Sequence, residues 1–270
     1  MPLCSNRLNS LKLLASILLS LNQSEVKKGK IMYKGIYIAM TGAVLRSQEL
    51  DSVANNLANV STLGYKRTSF SSRLYPLLEG VSQEQKAIYP EARAMAYYGK
   101  YHIDTSEGNI KTTGNPLDLA IKGEGFFVVE GKDKTYYTRN GSFSMDKDGF
   151  LVTANGLKVM DSDNKPIKIN GGSVNVAPNG NIYINGNIVA KLKLINLNNI
   201  EHVGDSNFSG NEAGASKGEI IQGSQEMSNV NPIREMVGII TALRQYETAQ
   251  KVIKSFEEMS QRAVSEIAKV

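Results

Sequence analysis

Cysteine and histidine are scarce in this chain, and their scarcity argues against several kinds of site. The 270 residues include one cysteine, Cys4, and two histidines, His102 and His202. No disulfide can form within the chain, and no thiolate metal centre can be built. Two histidines are a poor supply for a zinc centre or a histidine-based triad. We therefore expect no catalytic residues, no metal site and no cofactor, and a fold held by packing or by neighbouring subunits.

Clustered positive charge is also absent from most of the chain, although the net charge is +5. Residues 1–31 hold five basic residues and one acid, so four of the five net positive charges lie there. The remaining lysines and arginines are scattered, whereas a nucleic-acid binder clusters them to replace counterions on phosphates. We expect no nucleic-acid partner. A nucleic-acid binder would instead keep a salt-dependent affinity for DNA after removal of residues 1–31.

No hydrophobic run is long enough to cross a membrane, which takes about 20 apolar residues. The leucine-rich run within residues 1–31 ends at Leu21–Glu25 without the small-x-small site of a signal peptide. Lys27–Lys30 would be encoded by purine-rich codons, as a ribosome-binding site would be, and Met32 follows. We expect translation to start at Met32 and treat residues 1–31 as a mis-assigned or disordered leader.

Residues 32–70 have the periodicity of a helix. Apolar or small residues recur there at alternating steps of four and three, which is the spacing of a coiled-coil seam. These residues are Ile36, Met40, Ala43, Ser47, Leu50, Ala54 and Leu57. The pattern ends at Asn59, and Ser61–Gly64 is predicted to be a turn in which Gly64 takes a positive φ.

Residues 228–270 have a second helical pattern. Asn231-Pro232 predicts a helix start, because proline is tolerated in the first turn, and the helix can run to about Ile267. Glu235 and other charged residues are predicted on its polar face. The apolar stripe consists of Met236, Ile239, Ile240, Leu243, Tyr246, Ala249, Ile253 and Phe256. Two amphipathic ends that cannot bury their stripes alone should pair with each other or with neighbours.

The middle of the chain has the signals of an antiparallel β domain. Five Asn-Gly pairs occur between Asn140 and Gly186, and Asn-Gly is the strongest short hairpin signal. We predict an extended connector over residues 71–116, with some strand near Tyr97–Asp104, and a β domain over residues 117–227. Its predicted strands are a run through Leu117, Leu119 and Ile121, then Phe126–Val129, Thr135–Thr138, Ser142–Met145, Phe150–Thr153, Leu157–Met160, Ile182–Ile184 and Val189–Leu197. The fold class is therefore mixed α and β, with the terminal helices pairing as a coiled coil around a central antiparallel all-β domain.

Three sequence blocks resemble the rod and hook proteins of the bacterial flagellar basal body. The first runs from Ala54 to Lys66 and contains Asn-Asn-Leu-Ala-Asn. The second runs from Thr112 to Phe127 and continues through Tyr137–Phe143 and Gly149–Thr153. The third comprises Ser228–Asn231, Glu235–Val237 and Arg244–Glu247. One departure is Leu63, where many members have proline.

The resemblance implies a structural, non-enzymatic subunit of the rod, most like a proximal rod subunit, with a distal rod subunit as the alternative. It implies export by the flagellar type III apparatus and partners that are copies of the chain, other rod proteins and that apparatus, with no small-molecule substrate. The terminal helices would form an inner layer of the tube and the β domain an outer layer. We expect the assembly interface to include Ile36, Met40, Ala43, Leu50, Ala54, Asn55, Asn56, Leu57, Asn59, Met236, Ile240, Leu243, Tyr246 and Ile253.

A secreted carbohydrate-binding or hydrolytic β protein is the alternative from another class. Asp104/Glu107, Asp118/Glu124 and Asp146/Asp148 are the nearest acid pairs. Each lies next to a glycine or a turn, so we expect solvated loops. Such a protein would keep its activity after deletion of residues 232–270, whereas a rod subunit would lose assembly.

Overall fold

The structure, a computed structural model, describes residues 35–71, 73–75, 95–97, 101–131 and 134–267. The expected leader, residues 1–31, lies outside these ranges, as does much of the expected connector. The chain divides into two compact units. Unit 1 comprises the described residues of 1–49, 72–99 and 241–270. Unit 2 comprises 50–71 and the described residues of 100–240.

Two helices flank the β region, as the apolar periodicities predict. α1 covers residues 35–58, and a turn over residues 59–64 follows it. Gly64 takes a φ of 66°, which confirms the predicted positive φ. α2 spans Pro232–Ile267. The Asn231 side chain caps its start, because its Oδ1 accepts the Arg234 backbone N–H at 3.1 Å.

Eighteen strands lie in the described residues, all paired antiparallel. The mixed α and β class, with a large antiparallel β region between two helices, is confirmed. The strands are β1 (Thr68–Phe70), β2 (Arg73–Tyr75), β3 (Met95–Tyr97), β4 (Tyr101–Ile103), β5 (Ile110–Thr112), β6 (Leu119–Lys122), β7 (Phe126–Glu130), β8 (Thr135–Thr138), β9 (Phe143–Met145), β10 (Leu151–Thr153), β11 (Lys158–Val159), β12 (Val174–Val176), β13 (Asn181–Ile184), β14 (Asn187–Lys191), β15 (Leu194–Gly204), β16 (Asn207–Ala215), β17 (Glu219–Gln222) and β18 (Ser224–Glu226).

The largest sheet has seven strands in the order β15-β16-β8-β7-β11-β10-β9. The start of β15 also pairs with β7, so β7, β8, β16 and β15 form a closed ring of pairings. A second sheet has the order β12-β13-β14. Two-stranded pairs join β6 to β17, β5 to β18, β1 to β4, and β2 to β3. The last chain segments before α2 therefore pair with strands that lie about 100 residues earlier.

Strand β7 is buried on both faces, which explains its unbroken apolar sequence. Phe127 and Val129 point into the larger hydrophobic cluster, with residues of β6, β10 and β13. Phe126 and Val128 point into a smaller cluster that contains Phe208. Successive side chains of a strand alternate between its faces, so four consecutive apolar residues serve two cores.

Two strand predictions fail in an informative way. The predicted strand Val189–Leu197 is two strands, because β14 ends at Lys191 and β15 begins at Leu194. The chain changes its pairing partner from β13 to β7 at this point. The predicted strand run through Leu117, Leu119 and Ile121 begins only at Leu119, and Leu119, Ala120 and Ile121 are all buried.

Of the five Asn-Gly pairs, only Asn185-Gly186 has a positive φ at both residues, at 50° and 84°. It joins β13 to β14 as a two-residue hairpin, as predicted for a type I′ turn. Asn140-Gly141 serves another purpose. A Cβ on Gly141 would lie 1.7 Å from the Leu119 carbonyl oxygen, so glycine there permits close packing of two backbone segments.

Candidate assembly interface

Helix α1 places the predicted interface residues at three different depths. Ala43 and Asn56 are buried, and Asn56 is completely inaccessible to solvent. Ile36, Leu50, Leu57 and Asn59 are half-buried, whereas Met40, Ala54 and Asn55 are exposed. The exposed part of α1 in unit 1 also carries three large apolar residues outside the prediction, namely Tyr37, Ile38 and Val44. The predicted seam therefore mixes inward and outward positions.

Helix α2 carries two apolar faces where the sequence suggested one stripe. A buried or half-buried row recurs at steps of four and three and consists of Glu235, Ile239, Ala242, Tyr246, Ala249, Ile253 and Phe256. A second row is exposed and consists of Ile233, Met236, Ile240 and Leu243. We call these rows the inner face and the outer face of α2. Of the predicted interface residues, Tyr246 and Ile253 lie on the inner face.

The inner face of α2 contacts α1. In unit 2, Asn56 Nδ2 donates to Glu235 Oε2 at 3.2 Å, and a Cβ on Gly238 would lie 3.3 Å from Val53 Cγ1. Moving three residues back along α1 thus moves three residues forward along α2, so the helices run antiparallel there. In unit 1, a Cβ on Gly35 would lie 2.5 Å from Phe256 Cζ. The absence of a side chain at Gly35 and Gly238 leaves room for the Phe256 ring and the Val53 side chain of the other helix.

Glu235 is buried and charged, although the sequence placed it on the polar face of α2. Its two carboxylate oxygens accept the Asn56 amide and Arg67 Nε, the latter at 2.6 Å. Asn56 also brackets the Thr68 backbone, accepting its N–H at 2.9 Å and donating to its carbonyl at 2.8 Å. Asn56 therefore fixes the end of α1 against the chain's own segments. Asn59 instead caps α1, with Nδ2 donating to the Asn55 carbonyl at 2.9 Å.

Glu226 is the centre of a second buried polar cluster. Its Oε1 accepts Lys66 Nζ at 2.6 Å and the Gly108 backbone N–H at 2.9 Å, and its Oε2 accepts Arg139 Nη1 at 3.1 Å. All three side chains are buried: those of Lys66 and Glu226 are 0% exposed, and that of Arg139 is 1% exposed. Burial lowers the pKa of Lys66, and the neighbouring Glu226 carboxylate opposes that shift. Two formal cations thus share one anion away from water.

His202 packs against two aromatic rings, stacked on Tyr65 and tilted relative to Phe208. Its ring lies 5.0 Å from that of Tyr65 and 4.6 Å from that of Phe208, measured between centroids. Its Nε2 lies 3.0 Å from the Lys66 carbonyl oxygen, so Nε2 carries the hydrogen and donates. Burial lowers the pKa of His202, and the bond to Lys66 acts in the opposite direction. The neutral imidazole ties β15 to the segment after α1.

We expect this histidine to make stability depend on pH. Its pKa is lower in the folded chain than the unfolded value of about 6.5, so the unfolded chain binds the proton more readily. The stabilising contribution is therefore complete above about pH 6.5 and is lost as the pH falls towards the folded pKa. Urea unfolding of the wild-type and His202→Phe chains between pH 5 and 8 measures this contribution. The difference in unfolding free energy between the two chains should become smaller as the pH falls. A difference that does not change with pH would refute the lowered pKa of His202.

Sequence reasoning missed Glu226 and misplaced Glu235 because their partners are far away in the chain. Lys66 and Arg67 lie 160 and 168 residues from Glu226 and Glu235. Arg139 gave one sequence signal. It is the only arginine in the second resembling block, and it directly follows the strand Thr135–Thr138. Asp118 was also misjudged as a solvated loop residue. It is buried and accepts the Thr113 hydroxyl at 2.6 Å and the Asn115 amide at 3.2 Å.

The acid pairs Asp104/Glu107, Asp118/Glu124 and Asp146/Asp148 belong to no metal-binding cluster among the described residues. Within the described ranges, no group of three or more His, Cys, Asp or Glu side chains comes together in a way that could hold a metal ion. Asp146 Oδ1 instead accepts the backbone N–H groups of Asp148 and Phe150, at 3.0 and 2.7 Å. Among the same residues, no helix is both long and apolar enough to span a membrane.

Three stretches match known protein families, in the order of the resembling blocks. Residues 36–66 match the flagella basal body rod protein family. Residues 120–184 match the D1 domain of the flagellar hook protein FlgE/F/G. Residues 221–266 match the C-terminal part of the flagellar basal body rod FlgEFG protein. The matches include nearly all of α1 and α2, most of the larger hydrophobic cluster and part of the smaller one.

Whole-length relatives agree with these matches. The flagellar basal-body rod protein FlgG of Agrobacterium fabrum is 32% identical over 257 residues, covering 84% of this chain and 97% of that protein. FlgF of Mesorhizobium japonicum is 27% identical over 243 residues, covering 86% and 97%. The flagellar hook protein FlgE of Brucella abortus is 39% identical over 124 residues, covering 45% and 29%. The chain belongs to the flagellar basal-body rod and hook protein family.

Proposed function

We propose that this chain is a non-enzymatic structural subunit of the flagellar rod, and that copies and relatives assemble through the outer face of α2 and the exposed side of α1. One observation carries the proposal. α2 already uses its inner face within the chain, yet Ile233, Met236, Ile240 and Leu243 remain exposed on a second face. A row of large apolar side chains in water is unfavourable, and because these four are 40–73% exposed, burying the rest of each stabilises an assembly by about 1–2 kcal/mol.

The internal pairing of α1 with α2 is proposed to be an antiparallel coiled coil. Two features support this: the inner face of α2 has the 4-3 spacing of a seam, and contacts to α1 occur near both ends of it.

The depths of the predicted interface residues revise their roles in this proposal. Met40, Ala54, Asn55, Met236, Ile240 and Leu243 are proposed to contact neighbouring subunits. Ala43, Asn56, Tyr246 and Ile253 are proposed to hold the subunit's own helices together. The half-buried residues Ile36, Leu50, Leu57 and Asn59 lie at the border between the two sets.

The proposed partners are copies of this chain, other rod proteins and the flagellar type III export apparatus, with no nucleic acid and no small-molecule substrate. The proposed location is the rod as it crosses the periplasm, where the tube transmits motor torque. Within the rod, the sequence suggested the proximal place of FlgF. The higher identity to FlgG, at 32% against 27% for FlgF, favours the distal place, and both are retained as candidates.

Complementation decides between these places and tests the function itself. The chain is expressed in Agrobacterium fabrum strains that lack either FlgF or FlgG, and hook-basal bodies are purified from each. We expect the chain to co-purify with basal bodies and to restore swimming in one strain. Restoration without FlgG indicates the distal place, and restoration without FlgF the proximal place. Absence of the chain from basal bodies in both strains, despite secretion, would contradict a rod function.

A further inference from the structure

The segment Glu226–Glu235 supplies three polar side chains to the interior of unit 2. Glu226 accepts donors from Lys66, Gly108 and Arg139, as described above. Asn229 accepts the Arg67 backbone N–H at 2.7 Å and donates to the carbonyls of Asp104 and Ser106, at 2.9 and 3.1 Å. Glu235 holds Arg67 and Asn56. We call residues 226–235 the latch, and the residues that receive it (56–68, 104–108 and Arg139) the seat.

The seat contains two buried cationic donors, Lys66 and Arg139. Glu226 of the latch is the carboxylate to which both donate hydrogen bonds. Lys66 Nζ otherwise contacts the Ser106 carbonyl, and Arg139 otherwise contacts the carbonyls of Ile121 and Gly123. Without Glu226, two buried cations would face one another with no carboxylate between them. Removing one partner of a buried ion pair is strongly destabilising because it leaves an uncompensated charge. The closed seat is therefore unstable until the latch is in place.

Apolar packing contributes less to the seat and the latch than to the β core, although Val230 of the latch is buried. Neither hydrophobic cluster in the described residues contains a residue of 56–68 or 226–235, whereas β6, β7, β10 and β13 all contribute to the larger cluster. The seat has one buried aromatic ring, Tyr65, which stacks on His202. Regions with few buried apolar contacts open at a lower free energy than the core does. The polar assembly can thus open while the seven-stranded sheet and the β12-β13-β14 sheet stay folded, since their strands contain no residue of the seat or the latch, although Arg139 directly follows β8.

We propose that the latch and the seat form a separate cooperative unit, closed by Glu226, that switches between docked and released states above an intact β core. Docking joins the end of α1 to the start of α2 through Asn56 and Glu235. The unit thereby couples two residues that are far apart in the sequence, Asn56 and Glu235. The alignment of α1 with α2 in unit 2 is therefore set only once the latch has docked.

Hydrogen exchange of the full chain tests this proposal. The reporters for the seat are the backbone amides of Gly64, Arg67 and Gly108, which donate to Glu226 or Asn229. The reporters for the core are the amides of Leu151 and Met160. In Glu226→Gln we expect protection of the seat amides to fall more than tenfold while the core amides keep theirs. Equal loss at both sets, or no loss at the seat, would overturn the proposal.

Two further measurements make the test independent of how well that variant folds. Glu219→Gln removes an exposed carboxylate from the neighbouring β17 and should change neither set. In the wild-type chain, small increments of urea should release the three seat amides together, at lower urea than the core amides. Release of seat and core at the same urea concentration would show that no separate unit exists.

Discussion

Replacing Leu243 by aspartate is expected to abolish rod assembly and swimming while leaving the free chain folded. Leu243 lies on the outer face of α2 and is 40% exposed, so the charge can reach water in the isolated subunit. The stability of the free chain should fall by only about 1 kcal/mol, from lost helix propensity and partly lost apolar contact. In the assembled rod the same charge would be buried without a partner, at a cost of several kcal/mol in each subunit. Electron microscopy of basal bodies and urea unfolding of the purified chain measure the two effects.

Two neighbouring positions provide matched controls for this prediction. Ala242 is 1% exposed on the inner face, so Ala242→Asp should destabilise the free chain itself by about 3 kcal/mol or more. Gln245 is exposed and belongs to neither the inner nor the outer face of α2, so Gln245→Asp should preserve both folding and assembly. Motile cells with Leu243→Asp, or a Leu243→Asp chain as unstable as Ala242→Asp, would contradict the distinction between the two faces.

Replacing Gly141 by alanine is expected to destabilise the β region severely. The added Cβ would lie 1.7 Å from the Leu119 carbonyl oxygen and 2.7 Å from its carbonyl carbon, and backbone atoms cannot rotate aside. The Leu119 N–H also donates to the Gly141 carbonyl at 2.9 Å, so separating the segments breaks a hydrogen bond beside the larger cluster. Overpacking of this kind costs about 3 kcal/mol or more. Urea unfolding followed by circular dichroism measures the loss.

Gly156 is the control, because it follows asparagine in the same way but has open space around it. Its φ is 76° and no atom lies within 4 Å of a Cβ placed there. Gly156→Ala should cost only the left-handed conformation, about 1–2 kcal/mol. Equal costs for Gly141→Ala and Gly156→Ala would show that the close approach to Leu119 does not require the glycine.

Local sequence signals were sufficient for the helices and for several strands. The Asn231-Pro232 start and the long apolar period fixed α2, and Asn59 with Gly64 fixed the end of α1. The strand Thr135–Thr138 was predicted with its observed bounds. These signals work because capping, turn conformation and side-chain periodicity depend on residues within one or two turns of the chain.

Signals that depend on distant partners could not be read in the same way. The break between β14 and β15 is a change of pairing partner, which leaves no mark on hydropathy because lysine and leucine keep alternating from Lys191 to Leu194. The hairpin of β15 and β16 escaped prediction because residues 200–215 are mostly polar and its two-residue turn is Asp205-Ser206, with positive φ at both and no glycine. Backbone pairing stabilises this hairpin without an alternating apolar pattern.

The candidate interface was only partly readable for a related reason. A helical period shows that a stripe exists but not how many partners cover it. Met236 and Tyr246 belong to one apolar pattern in the sequence, yet Met236 is exposed and Tyr246 is half-buried on the other face. Glu235 looked like a solvated residue until Arg67 and Asn56 were found beside it. The division into inner and outer faces requires the fold.

Cysteine labelling tests the assembly proposal most directly. A single cysteine at Met236→Cys, with Cys4→Ser to remove the native thiol, is probed with a maleimide in the purified chain and in purified basal bodies. Ala242→Cys serves as the buried reference and should resist labelling in both. The assembly proposal predicts that Met236→Cys reacts rapidly in the free chain and is protected in the rod. Equal reactivity in the free chain and in the rod would show that the outer face of α2 is not where subunits meet.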